Sequence, residues 1–569
     1  MSWKTLASWV LVAMNWLTVI VDPAAAEATR PPALPKVLLE TSVAATPVTG
    51  RTIEVGPGGD LQAALNTAQP GDEIVLRAGA TYTGNFVLSA KGGSGKWITV
   101  RTSNMNGLPK EGVRVGPRHA AAMPKIVDPN GNGAISTALN AGYYRLIGLE
   151  VTVSPSVENA WALVKAGSGG SDQNALAVVA HHLILDRMYI HGDPSKNCFR
   201  CVALNSAHTA VIDSYLADGH AQGFDAQAIC GWNGPGPFKI VNNYLEGSGE
   251  NVMFGGADPH IPDLVPSDIE FRHNHCFKPL SWKIGDPDYA GIPWAVKNLF
   301  ELKNARRVLI EGNVFENNWV HAQNGTAILF TVRNQDGKAP WCAVQDVTMI
   351  NNVVRNSPTG FVVMGEDSPN KSQPSRRLMI RNNLFERIER MAFYITSAAD
   401  DVEIHHNTFV PTNYMAFCMT GLKGHDASGK VVGKPCTRFK LTNNIMGFGL
   451  YGPGIDGGQN TFAEALPELT WDKNLFVGYG EGRAQSAMKR NTCPAGSLFE
   501  PKQTNNGGYG DADWPAVGFA DYAGGDYRLT GTSKYKGLGA DGKDLGVEMN
   551  ELVKAVDAVS AANQGAAGQ

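Results

Sequence analysis

Eight asparagines recur in one hydrophobic phase through the middle and late part of the chain. The stretches VNNYLE (241–246), RHNHCF (272–277), EGNVFE (311–316), INNVVR (350–355), RNNLFE (381–386), HHNTFV (405–410), TNNIMG (442–447) and DKNLFV (472–477) align on Asn243, Asn274, Asn313, Asn352, Asn383, Asn407, Asn444 and Asn474. The steps between them run from 24 to 39 residues. Recurrence at such a period marks a stacked repeat. A short β-favouring run such as FKIV, DIEF, RVLI or VTMI precedes most of these Asn, and a polar or Gly-containing turn follows. A turn of strand, Asn corner, strand and loop predicts an all-β chain wound as a right-handed parallel β-helix. Asn suits the corner because it tolerates the left-handed conformation and bonds backbone locally. In successive coils such side chains also bond one another. A propeller would need four strands per repeat, and these repeats carry two or three.

The ends of the chain read differently. In residues 1–26 a basic Lys4, a mostly apolar run from Leu6 to Val21 and the small-residue site Ala24-Ala25-Ala26 predict a secretory signal peptide cut before Glu27. The apolar run is short for a membrane span. A protein that is secreted, periplasmic or at the cell surface, with no membrane anchor after cleavage, is expected. Residues 27–50 are rich in Pro, Ala and Thr and predict an extended lead-in. The net charge of −4 and the lack of a basic run exclude a nucleic-acid binder of the usual kind. Of the eight cysteines, Cys198 and Cys201 have redox or zinc spacing, but no second pair completes a metal site. A local disulfide or two buried thiols is expected there. A monomer is expected.

The β-helix is expected over 51–530. Near its start, Asp60 is a good N-cap, and Leu61, Ala64, Leu65 and Ala68 make one apolar stripe of a short helix that would protect the first coil. With QPGDEIVLRAGATYTGNF (69–86) after it, this segment resembles the N-terminal cap of secreted pectate-lyase-like β-helix proteins. The Asn-containing coils are similar to the repeats of the same superfamily, over roughly residues 51–480. The resemblance implies the fold and a polysaccharide partner. It leaves lyases, hydrolases, epimerases, esterases and non-catalytic adhesins open. Members often use Ca²⁺ to neutralise a substrate carboxylate, so Ca²⁺ is the cofactor it implies, although no dense Asp cluster marks such a site. The segment 527–556 resembles the closing element of such proteins and is expected to cover the last coil, with 531–569 forming the cap and a disordered tail.

A second strand per coil can be phased by alternation. Aligning Phe254, Leu302, Val332 and Met364 as inward residues sets Glu301, Lys303, Thr331 and Arg333 outward, with Lys303 and Arg333 on one row of successive coils. The long segments 259–268 and 278–298 are expected to project beside them. Trp282, Lys283, Tyr289, Trp294, Trp319 and His321 are candidate sugar-binding residues. Further candidate groups are Asp225, Glu250, Asp258, His260, Gln323 and Glu366.

Three chemistries compete. β-Elimination on a uronate-containing polysaccharide needs a base for the proton α to the carboxylate and positive charge beside the developing enolate. Lys303 and Arg333 fit, a neighbouring cation lowering the Lys303 pKa, with Glu301 close by. Glycoside hydrolysis would pair Glu301 with Asp258 or Glu250. A non-catalytic carbohydrate-binding solenoid needs neither, but uneven coils and decorated middle loops argue for a site.

Overall fold

The computed structural model describes residues 29–455, 462–479, 493–501 and 511–567. The expected signal peptide lies outside them. The chain is a right-handed parallel β-helix. One wall is a fourteen-stranded parallel sheet running from Thr52–Val55 to Leu469–Asp472. A second sheet resolves into two more parallel ladders, joined through the long strands Val353–Met364 and Leu384–Thr396. Antiparallel pairing among the described residues is confined to two small hairpins, Lys423–His425 with Val431–Gly433 and Phe519–Asp521 with Asp526–Leu529. The coils therefore end near Pro501, short of the expected residue 530.

All eight repeat asparagines are fully buried. From Asn274 onward each amide oxygen accepts two bonds from the Asn of the coil before. Asn383 Oδ1, for example, takes the backbone N–H and the Nδ2 of Asn352, both at 2.9 Å. The left-handed residue is the one before each ladder Asn: Asn242, His273, Gly312, Asn351, Asn382, His406, Asn443 and Lys473. The ladder Asn itself is thus selected for its amide rather than for a left-handed backbone. Upstream, the same corner continues at Ser214 behind left-handed Asp213. Ser214 donates its N–H to Asn243 Oδ1.

The helix Leu61–Thr67 lays Leu61, Ala64 and Leu65 on the first coil, and the Asp60 carboxylate caps it by accepting from Ala63 N–H. Among the described residues the C-terminal segment packs on the side of the last coils, against Leu475, Val477 and Leu498. It runs back along the side of the solenoid. Just after the ladder Asn stand Val314, Leu384, Ile445 and Leu475, an outward apolar stripe that would otherwise face water. Trp514, Phe519, Leu545, Leu552 and Val556 cover it. The terminal helix Met549–Ala567 reaches His273, whose Nδ1 lies 3.0 Å from Ala555 O, and it continues through residues expected to be an unstructured tail. The loop around Leu108, Val115 and Met123 covers the same face upstream.

The lead-in is a strap along the fourteen-stranded wall. Arg30, Ala33 and Lys36 donate backbone N–H groups to Asp401, Asp346 and Asp268 at 3.1, 3.0 and 2.8 Å. Those aspartates alternate by coil with Arg307, Arg377 and Arg438, all in left-handed backbone. The ion pairs Arg307–Asp268, Arg377–Asp346 and Arg438–Asp401 close at 2.6–2.7 Å. The match is metric: three residues of polyproline II advance about 9.3 Å, and two coils advance about 9.6 Å. Pro31, Pro32 and Pro35 fall between the donors, where no N–H is required.

None of the eight cysteines is in a disulfide, and Cys198 and Cys201 are two buried core thiols. Among the described residues no helix is long and apolar enough to cross a membrane.

Candidate functional site

The strap occupies one wall, and the 105–123 loop with the C-terminal segment covers the corner-side face. The remaining ladder contains Arg200–Leu204, Gln227–Gly231, Glu250–Phe254, Asn298–Leu302 and Thr326–Thr331. Its outer face carries a polar cluster. Strand register sets Arg200, Gln227, Glu250 and Asn298 in one row, and Cys230, Met253, Glu301 and Leu329 in the next. Inward alternation puts Val252, Phe254, Phe300 and Leu302 in the core, so Met253 and Glu301 between them face out, and Asn298 reaches that side through its bond to Glu301.

Glu301 is held from three sides. Asn298 Nδ2 donates to its Oε2 at 3.0 Å, Thr331 Oγ1 donates to its Oε1 at 2.7 Å, and Lys303 Nζ stands 3.7 Å from Oε1. Glu250 accepts from Gln227 Nε2 at 2.7 Å. Lys297 pairs with Asp225 and reaches to 4.0 Å from Glu250 Oε1. Burial, with the Glu301 and Asp225 charges nearby, pushes the Glu250 carboxyl up to about 7. Three buried acceptors in this cluster, Gln227 Oε1, Glu250 Oε1 and Asn298 Oδ1, have no hydrogen-bond donor.

The expected depression of the Lys303 pKa is overturned. Burial opposes its charge, but Glu301, Glu250 and Asp225 more than offset this and hold it above the ordinary lysine range. The register also differs from the alternation reading. Leu302 pairs with Phe330 rather than Val332, so Thr331 follows in the row of Lys303. Val332 and Met364 are inside as expected, but the stack is Phe254, Leu302, Phe330, Val363. For Val332 the slip is two residues, which preserves which residues face inward, so alternation cannot detect it, whereas Met364 is one residue out and pairs with Thr331. Arg333 still lies against the Lys303 coil, donating its N–H to Lys303 O at 2.9 Å. Its guanidinium is taken by buried Asp367 at 2.6 Å.

Trp282 and Trp294 are not open to a sugar. Both are buried, Trp294 stacked on His220 at 3.8 Å and Trp282 edge-on to it at 5.3 Å. They anchor the 278–297 insertion to the turn before Ala226, with Ala295 N–H donating to Ala221 O at 2.9 Å. Lys283, Tyr289 and Trp319 are partly exposed and His321 is exposed. His321 Nδ1 accepts from Val296 N–H at 3.2 Å. Nearby Gln323 Oε1 lies 3.4 Å from Asn298 Nδ2. Asp258 organises a loop, accepting from Asp336 and Lys338 N–H, and Glu366 belongs to a separate cluster with His425 and Lys434. His260 donates its backbone N–H to Asn233 Oδ1. Sequence reading missed Arg200, Gln227, Lys297 and Asn298, whose grouping follows from register across coils.

Among the described residues no set of three His, Cys, Asp or Glu side chains is arranged to hold a metal. The donor-less amide oxygens and two carboxylates here are nevertheless hard oxygen ligands of the kind Ca²⁺ takes. Replacing Glu250 tests the cluster's electrostatics. A carboxyl raised above its usual value binds a proton in the folded state that the unfolded chain releases, so stability falls as pH rises from about 4.5 to about 7. Glu250→Gln is expected to raise stability at pH 8 by on the order of 2–3 kcal/mol and to change little near pH 4.5. Thermal melts at the two pH values check this.

No family model matches the chain, and no curated protein matches its sequence. Solved structures do. An alginate lyase from Paenibacillus sp. str. FPU-7 is 16% identical over 58% of this chain and 99% of its own, with a TM-score of 0.29. Pectate lyase Pel9A is 12% identical over 88% and 97%, with a TM-score of 0.35. The catalytic unit of a GH87 alpha-1,3-glucanase from Streptomyces thermodiastaticus is 10% identical over 81% and 70%, with a TM-score of 0.42. The assignment of fold rests on the strand pairing described above.

Proposed function

We propose that this protein is an exported polysaccharide lyase that cleaves a uronate-containing chain by β-elimination at the Glu250–Glu301–Lys303 cluster. The observation that carries the reading is the set of buried, donor-less oxygens beside a half-buried lysine on the wall that the described terminal segments leave open. Gln227, Glu250, Asn298 and Glu301 would hold a Ca²⁺ ion, which would supply positive charge to the substrate carboxylate as the enolate forms. An ion held by Glu250 and Glu301 would offset the charges that keep Lys303 protonated. Burial would then favour the neutral amine, Lys303 would take the proton α to the carboxylate, and the β C–O glycosidic bond would break to leave a C=C bond, its oxygen departing with a proton from water. Arg333, steadied by Asp367, supplies a second cation to the anionic sugar. Asn298 and Thr331 fix Glu301 so that Lys303 keeps its position.

The raised Glu250 carboxyl beside Glu301 favours a second reading, an acid–base pair for glycoside hydrolysis. One experiment separates them. The purified protein is incubated with polygalacturonate, alginate, hyaluronate and xylan, with calcium or with a chelator. Ultraviolet absorbance from an unsaturated product, lost on chelation, is expected. New reducing ends without absorbance would favour hydrolysis. Retention on a polysaccharide without turnover would make the protein a binding module.

A further inference from the structure

The same wall carries an aromatic surface several coils upstream of Lys303. Trp161 is 53% exposed and Phe224 is 52% exposed. Trp161 stacks one face on Phe199 at 4.7 Å, which leaves the other face open, and Phe224 meets Phe199 edge-on at 5.2 Å. Phe199 packs with Ala221 and Ala226 outside the main core, so this is no extension of the solenoid interior. Backbone bonds join the coils beneath it: Phe199 N–H to Ala160 O, Gln227 N–H to Phe199 O, Glu250 N–H to Ala226 O and Asn298 N–H to Gly249 O. One outward row therefore reads Trp161, Phe199, Ala226, Gly249, Lys297. Its middle members, Ala226 and Gly249, are buried, and the row ends at the lysine that pairs with Asp225. Four coil steps make the distance along the axis about 19 Å, the length of a short oligosaccharide. Amides flank the surface. Asn197 Nδ2 donates to exposed Asn159 Oδ1 at 2.8 Å, and Asn197 Oδ1 accepts from Gln222 N–H at 3.0 Å.

We infer that Trp161 and Phe224 form a distal sugar-binding subsite, which takes a further part of the polysaccharide chain whose reacting unit sits at Lys303. An apolar ring face beside amide donors and acceptors suits a pyranose, which presents C–H groups on its faces and hydroxyls at its edges. The shared row assigns the occupant: it sets the aromatic surface and Lys297 on one face, so an extended chain along the axis meets both ends. This inference rests on the polysaccharide reading of the cluster.

The test separates the two. Protein labelled with 5-fluorotryptophan gives a Trp161 resonance, identified by its loss in Trp161→Phe. Titration with polygalacturonate and alginate fragments of graded length is expected to shift that resonance with long fragments only. Trp161→Ala is expected to raise KM about tenfold for long fragments and to leave short-fragment kcat unchanged. Absence of turnover with a shifted Trp161 resonance would sink the catalytic reading and keep the subsite. An unmoved resonance with every fragment overturns the subsite, whatever the activity. Self-association that Trp161→Ala abolishes, seen by sedimentation, would also overturn it by assigning the surface to a second copy.

Discussion

Replacing Lys303 by Met is expected to reduce turnover on the responsive polysaccharide by about 10²–10⁴-fold, the usual worth of a positioned general base, while the fold survives. Lys303 approaches Glu301 at 3.7 Å, outside hydrogen-bond reach, and Glu301 keeps its shorter bonds from Asn298 and Thr331 when the lysine is gone. The melting temperature should therefore move by a few degrees at most. Arg333→Ala differs. Asp367 is fully buried and accepts from Arg333 at 2.6 Å, so the alanine variant strands a buried carboxylate and loses stability as well as activity. Arg333→Lys keeps the charge without the fork, so it separates the two losses. Stopped-time assays beside thermal melts check all three. Full activity in Lys303→Met would show that another group abstracts the proton.

The largest effect on stability is expected from Asn352→Leu. The amide of Asn352 donates to Asn383 Oδ1, Ile310 O and Ile350 O, and its oxygen accepts the N–H and Nδ2 of Asn313. Leucine removes all five bonds. The Asn313 N–H loses its partner, while Asn383 Oδ1, Asn313 Nδ2 and Ile350 O each keep one other. At about 1–3 kcal/mol for a group left buried and unpaired and about 1 kcal/mol for each other bond lost, the total is on the order of 4–8 kcal/mol. Asn474→Leu, at the end of the ladder, should cost less, because among the described residues only Asn444 donates to its oxygen and only Leu441 O accepts from its amide. Denaturant titration of the two variants measures the difference. Equal and small losses would mean that the ladder amides are exchanged for water.

The ladder was legible because a buried amide admits few alternatives and because its apolar flanks travel with it. Lys303 and Glu301 were found as outward neighbours by the same alternation. What eluded sequence reading depends on distant coils. Lys303 looked like a cation beside a cation, but Asp225 and Glu250 arrive from two other coils and reverse the sign of its shift. Trp282 and Trp294 looked like free loop aromatics, since nothing local announces that His220 will lie beneath them. The C-terminal segment was read as an end cap. The stripe it covers exists only once Val314, Leu384, Ile445 and Leu475 are stacked.

The strap sets an order of assembly. Arg30 is made well before its carboxylate partner Asp401, which follows 371 positions later. Neither Asp346 nor Asp268 presents its side chain in line until the coils around it are wound. The first part of the chain must therefore wait, extended, while the wall it will lie on is built. Closing so long a loop costs only slowly increasing entropy, and the polyproline geometry has already surrendered much of the freedom that docking would remove. Completion is written into one seam: a chain that stops before Asp401 leaves Arg30 unfastened.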